Sequence, residues 1–230
     1  MATSRTDMHS LFITATDTDA GKTFIAQALM IVLQELGKTV VGFKPIAAGC
    51  EQTSEGLRNA DAWALQQCSS FPLAYSTVNP IAYAKPVAPH LAALELRQTI
   101  DLSLVDSAFE TLQAMDVDMI ITEGAGGWRL PLGDGKFLSD FAVANSMSVI
   151  LVVPIRLGCL NHAVLTAEAI RRDGLAIAGW VANIFEPNMP LLQENIQSLQ
   201  QLLAAPLLGE IPHVASATIA ADYLDLSGLL

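Results

Sequence analysis

Between the apolar run LFI (11–13) and the helical stretch IAQALMIVLQEL (25–36) lies TATDTDAGKTF (14–24), and this junction constrains the chain more than any other feature. A strand that ends in threonine and aspartate, turns through Ala20 and Gly21 and opens a helix at Lys22 and Thr23 aims several backbone N–H groups and the positive end of a helix at one point. Such a junction suits an anion. Gly21 lets the backbone approach phosphates, Lys22 can bridge β- and γ-phosphate oxygens, and the Thr23 hydroxyl can ligate Mg2+. The strict pattern G-x-x-x-x-G-K-[ST] is incomplete, because Thr16 holds the place of its first glycine. A GKT tripeptide can also open a helix by chance, and it is the placement between a first strand and a first helix that favours a phosphate site.

Further β-branched, apolar runs follow at 39–47, 117–125, 148–155, 176–185 and 206–212, separated by segments with helical spacing at 103–115, 160–172 and 189–204. Near-continuous apolar strands alternating with helices, the first being 22–36, are what a parallel sheet covered on both faces requires. The expected fold is therefore α/β, a doubly wound, mostly parallel sheet of the P-loop NTPase kind. A single domain is expected over 1–230, with 1–10 flexible. Gly37 and Gly174 stand where helix C-caps are expected. The stretch 49–89, rich in Ser, Asn, Pro and Gly around one short helix, reads as loops over the sheet, and loops of that length usually serve a site.

The chain is 52% hydrophobic, enough for a large core, and its 12 basic against 23 acidic residues give a formal charge of -11. That field repels nucleic acid, so small anions must be held by a few placed cations. Cys50, Cys68 and Cys159 form no CxxC, which argues against a disulfide framework or structural zinc and for a reducing compartment. No signal sequence is evident and no apolar run reaches membrane-spanning length, so a cytoplasmic protein with no membrane partner is expected.

Three more residues speak to chemistry. Glu123 follows MIIT at the carboxyl end of a strand, where ligands of open α/β sheets bind. Asp61, in GLRNADAWAL, starts or enters the short helix, where an aspartate serves either as a cap or as a metal ligand. Lys44, in GFKPIAAG, ends an apolar strand; it either snorkels to solvent or meets an anion, and Pro45 argues for the anion by ending the ladder.

The motifs TDTDAGKT, GFKPIAAG, GLRNADAWALQ, TVNPIAYAKPVAPH, TEGAGGW, LGCLNHAVLTAEAI, GWVAN and PLLGEIP, in this order over most of the chain, closely resemble the dethiobiotin synthetases, ATP-dependent enzymes of biotin synthesis. The resemblance implies a homodimer that takes ATP, Mg2+, CO2 and diaminopelargonate and closes a ureido ring through a carbamate and a carbamic–phosphoric anhydride. It places Lys22 and Lys44 in catalysis and Thr23, Asp61 and Glu123 on the metal, with Asp19 near it. Nucleotide contacts would come from Asp19, Ala20, Gly21, Lys22, Thr23 and Phe24, from Glu123, Gly124, Ala125 and Gly126, and from Asn183 and Ile184 with Pro212, His213 and Val214 as the adenine site. Ala48 and Gly126 would face the diamine. Gly158, Cys159, Leu160 and Asn161, opening a helix, would hold its carboxylate across the dimer boundary.

The family usually has a glycine at the place of Ala15, a Ser or Thr at that of Ala48, and an acidic residue soon after GEIP, for which Asp222 is the available substitute. Two other P-loop readings are weighed: a partition-type ATPase, which carries a signature lysine where this chain has Asp17, and an unrelated small-molecule kinase or ligase. Cys159 and His162 invite a catalytic dyad, but this chemistry needs no protein nucleophile.

Overall fold

Along strand β1 (His9–Ala15) successive side chains enter different cores: Phe12 joins one cluster, while Leu11, Ile13 and Ala15 join the other. The same alternation runs through β2 (Val40–Phe43), β3 (Met119–Glu123), β4 (Ser148–Pro154) and β5 (Ile177–Asn183), and β6 (Leu207–Ile211) gives Leu207 to one cluster and Leu208 and Ile211 to the other. A sheet that is apolar on both faces must be covered on both. The computed structural model, which describes residues 9–229, shows that covering in one domain. On one face lie α1 (Lys22–Glu35), α2 (Ala60–Cys68) and, near the end of the chain, α9 (Ala217–Ala221). The other carries α4 (Pro89–Glu95), α5 (Ser103–Gln113), α6 (Leu138–Ala144), α7 (Cys159–Arg172) and α8 (Leu192–Leu203).

All pairings in the six-stranded sheet are parallel, in the order β6-β5-β4-β1-β3-β2. The chain leaves β1 for the edge strand β2, returns to β3, and then crosses to β4 on the other side of β1. That reversal opens a crevice beyond the carboxyl ends of the central strands, and the loop after β1 lies in it. The doubly wound expectation holds. Gly37 and Gly174 have φ of 77° and 85°, the left-handed backbone expected just past a helix end.

Two expectations need correction. The run 39–47 is not one strand: β2 stops at Phe43, and 46–48 pair instead with 81–83 in a separate two-stranded parallel sheet. Pro45 has no N–H to continue the ladder. The stretch 49–89 is more ordered than loops around one helix, since it contains that parallel pairing, an antiparallel hairpin (51–53 with 56–58), α2 and a further short helix, α3 (Tyr75–Val78). Of the expected flexible segment 1–10, residues 1–8 lie outside the described part, while His9 and Ser10 already belong to β1.

Candidate active site

The phosphate loop begins on ordinary backbone. Ala15 is the buried last residue of β1 and its φ is not positive, so a Cβ costs nothing where the family has glycine. The left-handed positions are Asp19 (φ 56°) and Gly21 (φ 86°). A Cβ on Gly21 would stand 2.2 Å from Asn183 Nδ2, so this position needs glycine for both space and conformation. No side chain caps α1, which leaves its first N–H groups free to meet an anion. Asn183, at the end of β5, donates from Nδ2 to the Ala20 carbonyl at 2.9 Å and so braces the loop from below.

Lys22 is buried, with Nζ 3.3 Å from the Asp17 carbonyl. Burial, with the Lys44 charge adding to it, lowers its pKa to about 8. Next to it, the Thr23 hydroxyl donates to Glu123 Oε1 at 2.8 Å. The same Oε1 takes a 2.5 Å hydrogen bond from Lys44 Nζ, which also reaches Asp61 Oδ2 at 3.4 Å and the Gly124 carbonyl at 3.1 Å. Lys44 is 3% exposed and therefore no snorkelling surface lysine. Burial works against its charge, but Glu123 and Asp61 outweigh burial and hold its pKa above the ordinary lysine value.

Glu123 Oε2 is buried without a hydrogen-bond partner among the described residues. An orphaned carboxylate oxygen beside a threonine hydroxyl and a second, half-exposed carboxylate, Asp61, is an oxygen-donor set that suits Mg2+. The described residues include no group of three His, Cys, Asp or Glu side chains fit to hold a metal by themselves, and Mg2+ requires none when phosphates complete its shell.

These residues face a cleft of about 860 Å³. Of the expected contacts it is lined by Asp19, Gly21, Lys22, Thr23, Phe24, Lys44, Ala48, Asp61, Glu123, Ala125 and Gly126. Others stand behind the wall: Ala20 and Ile184 are buried, and Gly124 contributes its carbonyl to Lys44. Pro212, His213 and Val214 do not line the cleft; they continue from Ile211, whose carbonyl accepts the Ile184 N–H at 2.8 Å, and so lie on the Asn183 side. Gly158, Cys159, Leu160 and Asn161 are also absent from the lining. Gly158 (φ 93°) precedes α7 and Cys159 is buried, which suits a packing role better than a dyad.

Sequence reasoning missed Asn59, Phe185, Leu130 and the wall from Pro86 to Pro89. The motif TVNPIAYAKPVAPH contained that wall, but only the tertiary path brings it over the cleft. Also missed was Arg156, whose Nη2 lies 2.6 Å from Asp17 Oδ2 and ties the loop to the turn before α7.

A family model described as an AAA domain matches residues 9–220. The ATP-dependent dethiobiotin synthetase BioD of Cellvibrio japonicus is 47% identical over 96% of this chain and 97% of its own, and those of Aeromonas hydrophila and Pseudomonas aeruginosa are equally similar, with 99% and 98% of their lengths covered. Among solved structures, the MinC:MinD cell division complex of Aquifex aeolicus superposes with a TM-score of 0.57 at 16% identity, covering 93% of this chain and 85% of that one. MinD from Pyrococcus horikoshii, complexed with Mg-ADP, gives 0.53 at 16% identity, covering 89% and 81%. The MinD likeness is one of fold, while identity near one half along almost the whole length is one of descent: the chain belongs to the ATP-dependent dethiobiotin synthetases.

Proposed function

We propose that this enzyme closes the ureido ring of dethiobiotin from 7,8-diaminononanoate, CO2 and ATP, releasing ADP and phosphate. The observation that carries the reading is Lys44, a buried ammonium clasped by Glu123 and Asp61 beside the phosphate loop, in a chain so similar to dethiobiotin synthetases.

One substrate amine adds CO2 to give a carbamate, whose oxygen attacks the γ-phosphorus of ATP and expels ADP. The second amine then attacks the carbonyl carbon of the carbamic–phosphoric anhydride, forming the second C–N bond as phosphate leaves. Phosphorylation thus turns an oxygen that leaves poorly into one that leaves well. Lys22 and the first N–H groups of α1 hold the phosphates, while Lys44 balances charge as it passes from carbamate to phosphoryl group. Thr23, Glu123 and Asp61 would hold Mg2+, which supplies charge neutralisation at the phosphate oxygens when bound. Asn183 keeps its amide oxygen and one N–H for the adenine edge after bracing Ala20.

The enzyme works as a homodimer in the cytoplasm, without nucleic-acid or membrane partners. The net charge of -11 and three free cysteines support this setting, and among the described residues no helix is long and apolar enough to cross a membrane. The partition-type alternative has only fold likeness behind it, and Asp17, where its signature lysine would stand, is paired with Arg156. The test is product analysis: with diamine, bicarbonate, ATP and Mg2+ together the protein should yield dethiobiotin and stoichiometric phosphate. Substantial phosphate release without the diamine would overturn the reading.

A further inference from the structure

The motif TVNP (77–80) supplies no lining to the cleft, yet Lys44 depends on it. Where β2 ends, the Lys44 N–H donates to the Val78 carbonyl at 2.8 Å, and Asn79 Nδ2 donates to the Lys44 carbonyl at 2.7 Å. Both halves of that buried residue's peptide are thereby satisfied from one short segment. Asn79, itself 3% exposed, also donates to the Ile81 carbonyl at 3.1 Å, and its Oδ1 accepts from the Tyr75 hydroxyl at 3.1 Å.

The path continues. The Tyr75 oxygen accepts the Asn59 N–H at 2.7 Å, and Asn59 is the N-cap of α2, its Oδ1 taking the Ala62 N–H at 3.2 Å. Asp61 sits in the first turn of that helix and returns to Lys44 Nζ at 3.4 Å. A ring of contacts is closed: Lys44 peptide, Asn79, Tyr75, Asn59, start of α2, Asp61, Lys44 ammonium. The Tyr75 hydroxyl joins the segment that fixes Lys44 to the helix that carries Asp61, and in these two bonds it meets nothing else of the site.

We propose that Tyr75 and Asn79 are positioning residues that set the Lys44 ammonium against the Asp61 carboxylate, and so prepare one cleft for metal and phosphate together. The proposal rests on the synthetase reading for the identity of the reaction, not for the geometry. If Asn79 served only to satisfy the Lys44 and Ile81 carbonyls, loss of the Tyr75 hydroxyl would leave Asp61 and its metal untouched. If the ring acts as a unit, the hydroxyl matters for Mg2+ although it lies outside the cleft.

Tyr75→Phe removes one oxygen and keeps the ring that lies 4.2 Å beneath the Arg58 guanidinium. Supporting partners of metal ligands are typically worth about 10–100-fold in affinity or activity. The Mg2+ concentration for half-maximal turnover should therefore rise about tenfold, with kcat reduced and the melting temperature near that of the parent. Calorimetry with ADP needs no turnover: affinity should fall in Mg2+ and stay unchanged in EDTA. Asn79→Ala should show the larger metal shift, and the double variant should be no worse than Asn79→Ala, because both cuts open the same ring. If Asn79→Ala does not fold, Tyr75→Phe decides alone. A folded Tyr75→Phe with parental Mg2+ dependence in both turnover and ADP binding would reduce the ring to packing. If the parent makes no dethiobiotin, the reaction assignment fails by itself, and the ADP titration still decides the positioning role.

Discussion

Two lysines reach one cleft in different electrostatic states, and that difference separates their functions. Lys22 is depressed to about 8 by burial, with Lys44 adding to the effect. Phosphate oxygens favour the charged form, so nucleotide raises the Lys22 pKa on binding. Above about pH 8 the free enzyme has lost part of this proton and the complex regains it, so binding should take up a proton at pH 8.5 and much less at pH 7. Titrating ADP and Mg2+ in two buffers of different ionisation enthalpy measures the uptake; Lys22→Met should abolish it along with much of the affinity. Lys44, held charged by Glu123 and Asp61, has no such lability. In the proposed mechanism its contribution belongs to the transition state, so Lys44→Met should lower kcat by roughly 10²–10³, the scale of losing one donor to developing charge, while ATP affinity changes far less. Near-parental kcat would remove Lys44 from the chemistry. Both lysines were legible from the sequence: one from GKT after a strand, the other from the expense of a lysine beside proline at a strand end.

At the scale of elements, the position of Asp61, one of the two carboxylates proposed for the metal, depends on how closely α2 lies on the sheet. Gly42, in the middle of β2, makes room for it: a Cβ there would lie 2.7 Å from Leu65 Cβ and 3.0 Å from the Leu65 carbonyl. The Gly42 N–H also donates to the Ser69 hydroxyl just beyond that helix. Gly42→Ala should push α2 outward at a cost of about 1–3 kcal/mol, as overpacking does, and carry Asp61 away from Lys44. Thermal melting would show the destabilisation and a Mg2+ titration the displaced carboxylate; a parental Mg2+ midpoint would mean that Asp61 does not move with its helix. The large elements were readable because six apolar runs and their helices have periods that survive in sequence. The region 49–89 was not, for two physical reasons. Strands of three residues are too short to show a period, and 46–48 find their partner at 81–83 across more than thirty residues that include α2 and α3. The same limit applies to the site: Thr23, Asp61 and Glu123 could be named singly, but the orphaned Glu123 oxygen, the Tyr75–Asn79 ring and Phe185 at the rim exist only once the chain is folded.

On the scale of the whole molecule, the expected carboxylate-binding turn, residues 158–161, contributes nothing to the cleft of its own chain. It lies at the start of α7 beside Leu157, which is 93% exposed, and the Arg156–Asp17 pair just before it reaches the phosphate loop. If this turn binds the substrate carboxylate, as the family resemblance implies, it would do so at the cleft of another copy. In a two-fold dimer each turn would then complete the partner's site, and the two sites would be equivalent. Mixing inactive variants tests this directly. Lys44→Met disables a cleft and keeps its turn, whereas Asn161→Asp places a negative charge where the substrate carboxylate should dock and keeps its cleft. In a mixed dimer, one site inherits both defects and the other neither. Equal amounts of the two variants, co-expressed or exchanged through mild denaturant, should recover part of the parental turnover with a parental KM for the diamine, although each variant alone is nearly inactive. Absence of recovery in a mixture shown by mass spectrometry to contain mixed dimers would confine the substrate to a single chain and remove residues 158–161 from its binding site.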